Sequence, residues 1–148
     1  MNACFLIFTT FLAIALSAPN WPYSELQRRL NEEQSQEFRR IFRDGLDSPR
    51  TELNANLRTY IATLPQELQD VAAEERQRLD DSIQAARQRV QALSANAQSL
   101  YRQYAEIYND EGISLREATS RINDLCRTAD RTTLRELINA DVFNARNA

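Results

Sequence analysis

Leu79-Asp80-Asp81-Ser82-Ile83-Gln84-Ala85-Ala86-Arg87-Gln88-Arg89-Val90-Gln91-Ala92-Leu93-Ser94-Ala95-Asn96-Ala97-Gln98-Ser99-Leu100-Tyr101-Arg102-Gln103-Tyr104-Ala105-Glu106-Ile107 contains neither Gly nor Pro. Its apolar residues Leu79, Ile83, Ala86, Val90, Leu93, Ala97, Leu100, Tyr104 and Ile107 recur at steps of four and three, which lines one stripe of an α-helix at heptad spacing. Within the run without a breaker, from Pro65 to Glu111, one continuous helix of about 44 residues would be about 65 Å long at about 1.5 Å per residue. That exceeds a compact domain of this size, so the helix either projects as a bridge or bends. Ser94, an N-cap residue type directly after Leu93, is where a bend is expected. Antiparallel bundles and coiled-coil dimers both carry such stripes, which leaves a monomer and a helical dimer open.

Outward from this run the chain continues to read as helix, and the fold class is all-α. Pro occurs at 19, 22, 49 and 65, Gly only at 45 and 112, and β-branched runs with period-two alternation are absent. A first helix is expected from Asn31 as N-cap, through Phe38, Ile41 and Phe42, to a stop at Asp44-Gly45. A second is expected from Ser48 as N-cap with Pro49 in the first helical position, carrying Leu53, Leu57, Tyr60, Ile61 and Leu64. Leu64-Pro65 then turns the chain. After Gly112, Ser114-Leu115-Arg116-Glu117 reads as a capping box opening a helix with Ala118, Ile122 and Leu125. A last helix from Asp130 carries Leu134, Leu137 and Ile138.

These elements form a quasi-repeat. Each half has a helix ending in an acidic turn with one of the two glycines, Asp44-Gly45-Leu46 and Asp110-Glu111-Gly112-Ile113, followed by a Ser at 48 or 114. Phe38, Ile41 and Phe42 before the first turn match Tyr104, Ile107 and Tyr108 before the second. The architecture expected is two quasi-repeated helical arms around, or joined by, a long central helix.

Composition narrows the function. The 148 residues carry 18 basic and 21 acidic side chains, a net charge of -3, and no His. All the basic residues are Arg. Without a cationic excess the chain has no means to neutralise phosphates, so nucleic acid is not expected as a partner. Without Lys or His it lacks a Schiff-base amine, an imidazole base and an imidazole metal ligand, so no catalytic residues, no organic cofactor and no enzymatic activity are expected.

The uncharged run Cys4 to Leu16, followed by small residues, reads as a secretory signal peptide over residues 1–17. The run is shorter than the ~20 residues of a spanning helix, and no second such run follows, so no membrane association is expected after cleavage. An N-terminal leader over 18–30, one all-α domain over 31–140 and a tail over 141–148 complete the organisation. The mature chain, about 130 residues, would bury about two-thirds of its unfolded surface. It keeps a single Cys, Cys126, beside Leu125 on an apolar face; a buried thiol and an intermolecular disulfide are both open. The location expected is secreted and extracellular, and no Asn-x-Ser/Thr sequon occurs.

Helix, acidic turn, helix, twice over, raises calcium binding of the EF-hand kind, and the spacing tests it. With Gly112 at the sixth loop position, positions one, three, five and twelve fall on Ile107, Asn109, Glu111 and Ala118. With Gly45 there, they fall on Arg40, Phe42, Asp44 and Thr51. Neither is a standard loop. The clustered oxygens of Asp44, Asp47, Asn109, Asp110, Glu111 and Glu117 remain candidates for a non-standard hard-cation site taking Mg or Ca. Acidic residues at helix starts also complement the helix dipole, and Glu117 has a capping role available.

An extracellular carrier of an apolar ligand, a fatty acid or similar, is the alternative from another class, because Tyr60, Tyr101, Tyr104 and Tyr108 could line a pocket between helices. The same rings could equally be core. The carboxylate pairs Glu74-Glu75, Asp80-Asp81 and Asp110-Glu111 could share protons or metals, although neighbours on a helix point apart. The charged surface around Glu74, Arg76, Asp80, Arg87 and Arg89 is open to a protein partner that the sequence does not name.

Several of these features together resemble the SXP/RAL family of secreted nematode helical antigens. They are Glu37-Phe38-Arg39-Arg40-Ile41, the acidic loop with its capped helix, Leu64-Pro65, Leu93-Ser94, Ile107-Tyr108-Asn109-Asp110, Ile113-Ser114 with Glu117, and Arg135-Glu136-Leu137. The resemblance spans residues 30 to 138. Ser94-Ala95-Asn96-Ala97 lacks the Pro and Glu usual after the Leu-Ser, and Arg stands where many members have Lys. The resemblance implies an extracellular all-α protein with a cation-binding type of domain and no established enzymatic activity; it transfers no individual ligands.

Overall fold

A computed structural model describes residues 23–143. The segment expected to be a signal peptide and the last residues of the tail lie outside them. Seven helices and no strand occur among the described residues: α1 Ser24–Arg29, α2 Glu32–Asp44, α3 Arg50–Ile61, α4 Gln66–Val90, α5 Ala95–Asn109, α6 Leu115–Thr128 and α7 Arg131–Asn139. None of them is long and apolar enough to cross a membrane.

The breaker-free run is two helices, not one. α4 ends at Val90, and Ser94, extended at ψ 156, opens α5 by accepting a hydrogen bond from the Ala97 amide at 3.2 Å. No Gly or Pro makes this corner. Polar side chains do. The Glu136 carboxylate of α7 accepts from the Ser94 amide at 2.7 Å and its hydroxyl at 2.6 Å, and these bonds hold the Glu136 carboxyl below the usual range. Gln98 donates to the Leu93 and Gln91 carbonyls, at 2.9 and 3.3 Å, that the ended helix leaves open. The Leu64-Pro65 corner is built the same way: Gln69 donates to the Leu64 and Ala62 carbonyls at 2.8 and 3.3 Å.

The corner turns the heptad stripe onto itself. Ala86 and Val90 of α4 and Ala97, Leu100 and Tyr101 of α5 form one core with Leu137 and Val142. The first part of α4 serves a different core, in which Val71 and Ala72 meet Tyr23, Leu26, Phe38, Leu53, Leu57 and Leu64. α4 is therefore the element common to both. Phe38, Leu26, Leu53, Leu57 and Leu137 are the largest fully buried side chains, each contributing about 1.5–3 kcal/mol by leaving water.

The segment read as a leader contains α1. Six residues are too few for an isolated helix in water, and α1 is held from outside. Leu26 is fully buried and the Tyr23 ring meets Phe38 edge-on at 6.0 Å. Glu75, in α4, accepts from the Glu25 and Leu26 amides at 2.7 and 2.8 Å and from the Ser24 hydroxyl at 3.2 Å. At the other end the tail begins packed: Val142 is buried and Phe143 stands edge-on to Tyr104 at 5.1 Å.

Candidate cation site at the paired turns

The two glycine turns, 66 or so positions apart in the repeat, lie against each other in an antiparallel bridge between Pro49 and Ser114. The Arg50 amide donates to the Ile113 carbonyl and the Thr51 amide to the Glu111 carbonyl, both at 3.1 Å; the Arg116 amide donates to the Leu46 carbonyl at 3.3 Å. Each turn thus caps the first amides of the helix leaving the other.

This arrangement corrects two local readings. Ser48 does not cap α3, which starts at Arg50 with Pro49 as N-cap and no side-chain cap bond. The amides that a Ser48 cap would serve are those of Arg50 and Thr51, already bound across the bridge. Ser114 does cap α6, taking the Glu117 amide at 3.1 Å, but the Glu117 carboxylate turns to Arg121 at 2.6 Å and does not complete a capping box. The reciprocal box forms at Asn31 and Gln34. The glycines also differ from a left-handed helix stop, since neither has positive φ. Gly45 is needed for close approach: a Cβ there would meet Leu53 Cδ1 at 2.6 Å.

Arg50, which sequence reasoning passed over, is the side chain at the centre. Its Nη2 donates to the Ile107 carbonyl at 3.0 Å and the Asp110 carbonyl at 2.5 Å, at the C-terminal end of α5. Its Nε is buried with no hydrogen-bond partner. Burial pushes the neighbouring Tyr108 phenol above its usual value, and the Arg50 charge pulls it the other way. Nothing in the local sequence signals this role, because the carbonyls that Arg50 serves are 57 and 60 positions away.

The six oxygen-bearing candidates all lie in the paired turns or in the helix ends that flank them, but most are engaged. Asp47 accepts from Arg116 Nε at 2.6 Å, Asp44 from Arg43 at 3.3 Å and Glu117 from Arg121 at 2.6 Å. Asp110 accepts from the Gly112 amide at 3.1 Å, closing the second turn on itself. Glu111 has a long contact from Asn54 Nδ2 at 3.5 Å and is exposed, as is Asn109. Among the described residues no three Asp, Glu or Cys are grouped so as to hold a metal ion. The donor set therefore does not fit a closed cage of the calcium type, which needs six to eight oxygens. It fits a partly hydrated ion held by one or two carboxylates. The orphaned Arg50 Nε sharpens this contrast, since a buried N–H invites an acceptor and repels a cation.

Other candidate chemistry is dispersed. Glu75 seats α1, Glu74 meets Arg78 at 3.2 Å, and Asp81 accepts from Gln77 at 2.8 Å, so the adjacent carboxylates act apart. Tyr104 stacks on Tyr108 and lies tilted against Tyr101, with centroids about 6 Å apart in both pairs. Together with Ser82, Ile83 and Ala86 the three rings line a cavity of about 20 Å³. That space suits a single water, whereas a ligand of fatty-acid size needs several hundred Å³.

The family model described as SXP/RAL-2 family protein Ani s 5-like, metal-binding domain, matches residues 2–142. The chain belongs to the SXP/RAL-2 family. No curated protein and no solved structure matches it. The SXP/RAL-2 match takes in all seven helices, α1 included, and both glycine turns. It attaches metal binding to the domain as a type, and leaves the ion and its ligands to be sought in this chain's own residues.

Proposed function

We propose that this chain is a secreted, non-enzymatic SXP/RAL-2 domain that binds a hydrated divalent cation on the outer edge of its paired turns, magnesium in preference to calcium. The observation that carries this reading is the match to a metal-binding domain model; Asp47, Asp110, Glu111 and Glu117 lie on or beside two turns locked by backbone hydrogen bonds, with no group of three ligands among the described residues. Magnesium keeps several of its waters and is commonly held by one or two carboxylates, whereas calcium gains most from a full oxygen cage. Glu111, the least engaged of the acidic side chains, is the expected direct contact, with Asp110 and Glu117 supplying charge. Secretion rests on the apolar run at the N-terminus, and the absence of enzymatic activity on the lack of Lys and His.

Calorimetric titration of the metal-stripped mature chain with Mg²⁺ and Ca²⁺ tests the proposal. Saturable Mg²⁺ binding is expected, weakened at least fivefold by replacing Asp110, Glu111 and Glu117 together with their amides while helicity persists. No Mg²⁺ binding at millimolar ion, or unchanged affinity in the triple variant, refutes the site.

A further inference from the structure

Every helix from α1 to α4, and α6, carries an Arg in its own last turn; α5 has none. A helix C-terminus is the negative end of the backbone dipole, and its last carbonyls have no partners within the helix. At α5 the missing cation arrives from the other turn. Arg50 sits at the first position of α3, the positive end of a helix, where its charge gains nothing locally. Its side chain instead leaves α3 and reaches the Ile107 and Asp110 carbonyls.

We infer that the Arg50 guanidinium is the resident cation of the second turn, satisfying from the first turn the backbone carbonyls at the end of α5, so that the two turns stay paired without metal. This goes beyond the proposed function, which places an exchangeable ion on carboxylates at the outer edge. The guanidinium suits the inner position because its planar fork offers several fixed N–H donors and stays charged at any pH the protein meets. Arg89 does the same service at the end of α7, which also lacks a basic residue in its last turn, by donating to the Asp141 carbonyl at 2.9 Å. Arg50 differs in joining two turns whose amides and carbonyls are already interleaved.

Amide hydrogen exchange at Thr51 and Arg116 reads the pairing directly, with amides of α2 and α7 as references. In the wild-type mature chain, protection at both positions is expected to be equal in Mg²⁺ and in chelator. Arg50→Met, which keeps the length of the side chain, is expected to speed exchange at both at least tenfold while the reference amides hold. Arg50→Lys, which keeps the charge, is expected to recover at least half of that loss on a logarithmic scale. Faster exchange of the wild type on chelation would overturn the inference, because metal would then be holding the turns. So would full protection in Arg50→Met, or an Arg50→Lys chain as open as Arg50→Met. The wild-type comparison needs no variant to fold. A chain that binds no Mg²⁺ calorimetrically but passes these tests would sink the proposed function and leave Arg50's role standing.

Discussion

Glu75→Ala is expected to loosen α1 from α4 while both cores remain folded. The carboxylate holds the Glu25 and Leu26 amides at 2.7 and 2.8 Å, in a part-buried setting. Hydrogen bonds to a charged group are worth about 1.5–3 kcal/mol, and water can reach these amides once the carboxylate is gone, so the lower figure applies to each. The total is about 3 kcal/mol, or roughly a hundredfold in the equilibrium for local opening at about 1.4 kcal/mol per tenfold. The Leu26 and Tyr23 anchors still contribute about 3–6 kcal/mol by burial, so α1 stays docked most of the time. Trypsin reads the open fraction, because Arg28 and Arg29 are exposed and cleavage tracks opening when closing is fast. The assay is the rate of release of the N-terminal fragment by mass spectrometry. Glu74→Ala, which removes an exposed contact to Arg78, serves as the control and should stay within twofold of wild type. A Glu75→Ala rate within threefold of wild type would show that the carboxylate does not seat α1. A parallel rise at Arg58 and Arg127 would show that α1 does not open as a separate unit.

Two further outcomes follow from other side chains. Glu136→Gln should lower the melting temperature at pH 7, and the gap to wild type should close in acid. The Glu136 carboxyl lies below its ordinary value of 4.5 through its bonds to Ser94. Its stabilisation is therefore complete above that pH and is lost as pH falls through the lower folded-state value; thermal melts between pH 7 and 3 that show a constant gap would contradict this. Burial pushes the Cys126 thiol from 9.0 up to about 11. Its alkylation at pH 8 should therefore run about a hundredfold slower in the folded chain than in denaturant, and equal rates would place the sulfur in open solvent.

What could be read from sequence was chemistry that acts over three or four residues. Asn31, Ser94, Ser114 and Asp130 each cap the helix expected of them, and Ser94 divides the long run where a bend was expected. The SXP/RAL resemblance depended on the order of such local signals, and the family match agrees with it. The features that escaped depend on partners far along the chain. α1 is too short to announce itself, and Glu75, which holds it, is 50 positions away. Ser48 looked like a cap because its neighbours in sequence suit one, but the second turn had already taken the amides it would serve. The acids of the turns were legible as oxygen donors. The neutralisation of Asp47 was not, since Arg116 meets it across 69 positions.

Interleaving the turns also governs when the protein can fold. The amides of Arg50 and Thr51 find their acceptors in residues 113 and 111, and the Leu46 carbonyl finds its donor in residue 116. Closing a loop of some sixty residues costs entropy before any of these bonds is returned, which makes the pairing a late, non-local event. On the ribosome, the front of α3 therefore stays unsealed until the second turn has emerged. Each half of the molecule is completed by the other, and a fragment ending before α5 would carry its first helix–turn–helix unit permanently frayed at Arg50.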